Sequence, residues 1–212
     1  MTFRLIGSVM VLALIWTGCG PAGITPRTDA ALEQAAEQLR DELRAPGLLI
    51  ASAALYTAET GRFPDTPFAL LGSSVAQETG LINLEFAKLD ISPGPEGLQV
   101  IYELQKTRLD QTERSGAFEM RRTDDGFTAN FELYRQTDPD HNGRRVPITT
   151  ADLVTVERAG GQIRVQPDEL RGFLAQGREL VPPFDEAAGM SVQFNLFPQG
   201  PELGTYVVTG TE

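Results

Sequence analysis

The spacing of apolar residues changes once along the chain, and that change restricts the fold more than any other feature. Leu32, Ala36, Leu39 and Leu43 fall at i, i+4, i+7 and i+11, one face of a helix, while Glu33, Glu37, Arg40, Asp41 and Arg44 take the other faces. Thr28-Asp29 is the start signal for that helix. From Leu98 onward the period is two. Leu98, Val100, Tyr102 and Leu104 alternate with Gln99, Ile101 and Glu103, and Phe127, Ala129, Phe131 and Leu133 alternate with Thr128, Asn130, Glu132 and Tyr134. A chain that is helical first and stranded afterwards belongs to the α+β class.

The details follow from turn and cap chemistry. Pro46-Gly47 predicts a kink or break, because Pro46 has no N–H and its ring crowds the preceding turn. Leu48 to Tyr56 resumes as an almost wholly apolar helix that has to be buried on most sides. Thr60-Gly61 ends it, with Gly61 as a left-handed cap, and Pro64 and Pro67 forbid continuation. Thr66 to Pro95 reads as a long loop, long enough to be functional. Phe118 and Met120 mark a further strand, and Asp125-Gly126 predicts a two-residue hairpin. Leu153–Arg158 and Gln162–Gln166 flank Ala159-Gly160-Gly161, which reads as a second hairpin. Leu170, Phe173 and Leu174 predict a short amphipathic helix. Val192, Phe194 and Leu196 alternate again, and Gly204 to Thr209 closes the chain as a strand. The expected architecture is a long, kinked N-terminal helix packed on an antiparallel β-meander, as one domain over residues 28–212.

Composition excludes several functions. The chain has 18 Lys plus Arg against 29 Asp plus Glu, a net charge of −11, so it lacks the basic face that nucleic acid demands. One Cys and one His exclude an intrachain disulfide, a thiolate metal cluster and a multi-histidine site. No Gly-x-Ser-x-Gly, phosphate loop or dinucleotide fingerprint is present. His141 has no nucleophile motif beside it, and an exposed loop histidine is the plainer reading. No catalytic activity is expected.

The first 20 residues, MTFRLIGSVMVLALIWTGCG, place Arg4 before an apolar run from Leu5 to Trp16. That run fits a signal-peptide core and falls short of the roughly 20 residues that span a bilayer. The small residues Thr17-Gly18 before Cys19 resemble the lipobox of bacterial lipoproteins, with Trp16 where Leu is usual. The resemblance implies that residues 1–18 are removed as a signal peptide. Cys19 then carries lipid, and Gly20 in place of Asp directs the protein to the outer membrane, facing the periplasm. An ordinary secretory signal is the plain alternative. Loss of Arg4 takes the net charge from −11 to −12. That charge repels anionic headgroups, so the bilayer is engaged through the acylated Cys19 and not through the protein surface. Residues 19–27 are the lipidated Cys and a short tether. Fully extended, its eight residues Gly20–Arg27 reach about 26–29 Å.

The stretch from Ala54 to Leu71 resembles the helix-to-loop junction of type IV pilins and type II secretion pseudopilins. Tyr56, Thr60, Gly61, Arg62, Phe63, Pro64, Leu70 and Leu71 occupy the matching places. The resemblance implies a pilin-like start to the domain and a link to a pilus-like or secretion assembly, through an envelope protein as partner. The family's Gly-Phe-Thr-Leu-Ile-Glu processing site is missing, so cleavage by the pilin peptidase and polymerisation through the N-terminal helix are not expected. A generic helix ended by Thr-Gly and a Pro-rich loop fits the same residues.

One motif points to a metal. Asp138, Asp140 and Asn142 stand at positions 1, 3 and 5 of a calcium loop with Gly143 at position 6, the Arg144 backbone oxygen next, and Asp152 as a late carboxylate. Thr149 stands where the bidentate Glu belongs. A Ca2+-stabilised binding module and a plain Asx turn both fit. The Phe, Leu and Val stripes suit a packed core, or a cavity that carries a hydrophobic ligand.

Overall fold

The computed structural model describes residues 42–105, 112–137, 156–181, 184, 186–198 and 206–209. Helix α1 spans Arg44–Thr60. Its sequence, RAPGLLIASAALYTAET, offers no polar stripe through its middle, and such a helix persists only when surrounded. Every residue from Ala45 to Leu55 is buried, as is Thr57.

The expected interruption at Pro46-Gly47 lies one turn upstream. Glu42 is helical, Leu43 is a turn residue at φ −70° and ψ −14°, and the helix restarts at Arg44. Pro46 therefore sits in the first turn, where its missing N–H leaves no helical bond unmade. The Gly47 N–H already reaches the Leu43 carbonyl at 2.9 Å. Gly47 is glycine for another reason: the Phe184 ring occupies the place where a Cβ would stand. At the other end Gly61 caps the helix at φ 76°, its N–H on the Thr57 carbonyl at 2.9 Å.

The segment read as a long loop from Thr66 to Pro95 is structured. It contains helix α2 (Pro67–Leu71), helix α3 (Ser74–Glu78), a 3₁₀ turn (Leu81–Asn83) and strand β1 (Phe86–Pro93). The Thr66 hydroxyl accepts from the Ala69 N–H at 3.1 Å, and the Ser73 hydroxyl from the Ala76 N–H at 3.3 Å, so each short helix begins on a side-chain cap. Leu70, Val75, Ala76 and Leu81 are buried in the same core as α1. A 2.6 Å hydrogen bond between the buried hydroxyls of Ser52 and Thr79 fastens this cover to the helix.

The remaining strands are β2 (Gly97–Leu104), β3 (Thr112–Thr123), β4 (Gly126–Thr137), β5 (Val156–Val165), β6 (Met190–Pro198) and β7 (Tyr206–Thr209), with helix α4 (Pro167–Ala175) and a 3₁₀ turn (Glu186–Ala188) between β5 and β6. The order across the sheet is β1 to β7 in sequence, all antiparallel. The β3–β4 hairpin forms, closed by Thr123 opposite Gly126, so Asp124-Asp125 are its loop residues rather than Asp125-Gly126. The hairpin expected at Ala159-Gly160-Gly161 does not form. β5 runs straight through it, with Gly160 opposite Glu132 on one side and Asn195 on the other. Pairing with β4 and β6 together satisfies the glycine backbone, which a turn would have withdrawn from both ladders.

Alternate residues of the strands face α1. Leu98, Val100, Tyr102, Phe118, Met120, Phe127, Ala129, Phe131, Leu133, Ala159, Ile163, Val165, Met190 and Val192 are buried and form one cluster with the helix. Fold class is therefore α+β, a helix on an antiparallel meander, with α4 and the Phe184 segment closing the helix from the other side.

Candidate functional site

Two places bring together residues far apart in the chain. The first is the end of α1. The Arg122 Nη2 donates to the Gly61 carbonyl at 2.6 Å. Its guanidinium lies 5.5 Å from the Phe63 ring centre and 5.9 Å from that of Phe127, and the two rings meet edge-on at 6.3 Å. Arg171 of α4 pairs with Glu59 at 3.2 Å. The junction motif thus pins the helix end to the β3–β4 hairpin and to α4: Gly61 turns the chain, Phe63 folds back, and Arg122 closes the exposed carbonyl end. At the opposite end Tyr102 is buried. Burial, with the Glu42 charge adding to it, holds its phenol well above the usual tyrosine range. Glu42 lies 3.6 Å from Arg114.

The second place is the face of the sheet turned away from α1. Register sets one line of side chains across six strands: Ser92, Gln99, Glu119, Asn130, Gln162 and Gln193. The next line carries Ile101, Ala117, Glu132 and Gly160. Between these lines runs an open depression of about 730 Å³, lined by Gln99, Ile101, Ala117, Asn130, Gln162 and Gln193 among others. Ile101 is 53% exposed on its wall. The Gln162 Nε2 donates to Asn130 Oδ1 at 3.1 Å, and the Arg164 Nε to Gln162 Oε1 at 3.4 Å. Arg121 reaches Glu119 at 2.6 Å, and that hydrogen bond, with the carboxylate charge, raises the guanidinium further above its usual range. The line therefore presents neutral amides and one compensated ion pair.

Cys19, the expected lipidation site, lies outside the described residues. So do the expected calcium ligands Asp138, Asp140, Asn142, Arg144 and Asp152. Among the described residues no group of three or more His, Cys, Asp or Glu side chains is placed to hold a metal ion, and no helix is long and apolar enough to cross a membrane. The amide line escaped sequence reading. Its members stand up to about a hundred residues apart and become neighbours only through register, although each occupies an outward position of an alternating strand. Comparison of the chain with protein-family models, curated proteins and solved structures finds no match.

Proposed function

We propose that this chain is a lipid-anchored protein of the cell envelope, held at the outer membrane through Cys19, that works by contact with another envelope component and not by catalysis. The observation that carries the reading is the asymmetry of the sheet. One face is closed by α1 in a packed core, and the other, among the described residues, is an open surface crossed by a depression of about 730 Å³. A rigid sheet of this kind holds contact groups in fixed register and suits recognition. A pilin-like topology is part of the proposal. It is supported by a helix laid across an antiparallel meander and by the Gly61-Phe63-Arg122 clamp at the junction.

Fractionation tests the anchor. The wild-type chain is expected with envelopes and to need detergent for release, and a Cys19→Ser variant is expected at unprocessed size or in the soluble fraction. If that variant stays with envelopes at the wild-type size, with Trp16 emission intact in both proteins, the anchor is wrong. Processing before Cys19 removes the only Trp in the chain, so the wild-type protein is expected to show tyrosine emission alone.

A further inference from the structure

Strand β1 is an edge of the sheet, and its own sequence limits what that edge can pair with. It pairs with β2, and among the described residues no strand lies along its other side. The Gly94 N–H reaches the Gly97 carbonyl at 2.7 Å, and the register runs unbroken from Pro93 opposite Leu98 to Lys88 opposite Glu103. In an antiparallel ladder, residues bonded to the neighbouring strand alternate with residues whose N–H and C=O point away from it. Counting from Gly94, residues Ser92, Asp90 and Lys88 bond to β2, while Ile91, Leu89 and Ala87 direct their backbone groups to the free side. At one end of this run Pro93 has no N–H to offer. At the other, the register irregularity between Phe86 and Lys88 ends the alternation, and the Glu85 carbonyl turns back to the Gln105 N–H at 2.9 Å. The open ladder is therefore short, from Ala87 to Ile91, and Leu89 is its centre.

A second copy of the chain, approaching antiparallel about a two-fold axis at Leu89, uses all three outward residues. Leu89 then faces Leu89 of the second copy, and Ala87 faces its Ile91, a ladder of about six hydrogen bonds. The side chains select the same centre. Lys88 and Asp90 are exposed on the outer side of β1, 3.0 Å apart. With the axis at Leu89, Lys88 of each copy stands opposite Asp90 of the other, at the closely spaced positions where cross-strand charges interact most. An axis at Lys88 would set two lysines face to face, and one at Asp90 two aspartates. Glu103, across from Lys88 on β2, lies one strand further from the seam. An edge lysine ordinarily keeps strands apart, but a lysine two residues from an aspartate admits this one register and excludes those beside it. The inner side adds apolar surface. Leu89 and Ile91 are half-buried against the core, and α2, which packs against β1, carries Phe68 at 85% exposure.

We propose that this chain forms a two-fold dimer through β1, joining two seven-stranded sheets into one continuous sheet. Such a seam uses the same edge on both copies and so stops at two. One short strand pair belongs to the small class of interfaces, and dissociation in the micromolar range is expected. The pairing goes beyond the contact reading above and does not rest on the anchor. Sedimentation equilibrium of the detergent-purified full chain, in density-matched detergent, tests it. The wild-type chain is expected to pass from monomer to dimer as concentration rises. Lys88→Asp and Asp90→Lys each give the edge a single sign of charge. Each is expected to weaken self-association at least tenfold with unchanged circular dichroism. Mixed together, the two variants are expected to recover the wild-type affinity as a heterodimer, because every residue at 88 then faces an opposite charge at 90. A chain that stays monomeric at every concentration overturns the proposal. So does a dimer that both variants leave intact, or a mixture that associates no better than its components. A dimer lost on Cys19→Ser overturns it as well, by making the lipid its cause. An anchor disproved by fractionation leaves the seam standing.

Discussion

Residues 130 and 131 are neighbours in β4 and have opposite fates. Phe131 is 2% exposed, packed beneath α1, while Asn130 is exposed and hydrogen-bonded to Gln162. The same division runs through β2 to β6. Because side chains alternate across a strand, one chain writes two surfaces at once: one selected for volume and apolarity, the other free to be selected for chemistry. The inner surface tolerates little change, and the outer surface is where variation alters contacts without altering the fold.

The sharpest way to break this comparison is to truncate both neighbours. Phe131→Ala is expected to lower unfolding free energy by about 3–5 kcal/mol, and Asn130→Ala to change it by no more than about 0.5 kcal/mol, both read by denaturant titration. Similar losses would mean that the outer face is packed against something. The second expectation is a pH dependence belonging to the inner face. Tyr102 is held above the usual tyrosine range by burial and by Glu42. Below pH about 10 both folded and unfolded chains keep its proton, so it contributes no slope. Above that, the unfolded chain loses a proton that the native state retains, and stability falls with rising pH by up to about 1.4 kcal/mol per unit. Tyr102→Phe is expected to flatten this alkaline limb, and an unchanged limb would acquit Tyr102.

The rim of the sheet sharpens the comparison at smaller scale. Arg122→Ala removes the Gly61 carbonyl contact and the Phe63 and Phe127 stacking, and is expected to cost about 1 kcal/mol. Arg121→Ala, one residue earlier and on the outer face, is expected to leave the denaturation midpoint where it was. Equal effects would erase the distinction between the faces. The smallest measurable loss belongs to Arg171→Ala. It breaks an exposed pair with Glu59 worth less than about 0.5 kcal/mol, and molar salt is expected to remove even that.

Sequence reading recovered what local periodicity encodes. It found the apolar helix, the Gly61 cap, the alternation of β2 and β4, the β3–β4 hairpin and the amphipathic α4. It failed where a neighbour decides. β1 was unreadable because a register irregularity between Phe86 and Lys88 breaks its alternation and its position at the sheet edge leaves most of its residues exposed. β5 was split because Ala159-Gly160-Gly161 has the composition of a turn, and only the flanking ladders of β4 and β6 hold it straight. α2 and α3 were too short for a period to show. The amide line was illegible for the reason that makes it a surface: its spacing lies between strands, where sequence carries no period.

The burial of α1 also has a temporal side. Its first partners, α2, α3 and the 3₁₀ turn, follow directly in the chain, but β3 to β5 come dozens of residues later, and Phe184, which closes over Gly47, later still. During synthesis the side of α1 that faces the sheet finds no shelter until most of the polypeptide has emerged. Such a segment is a natural handle for holding chaperones, and a chain arrested before residue 184 is expected to aggregate through it.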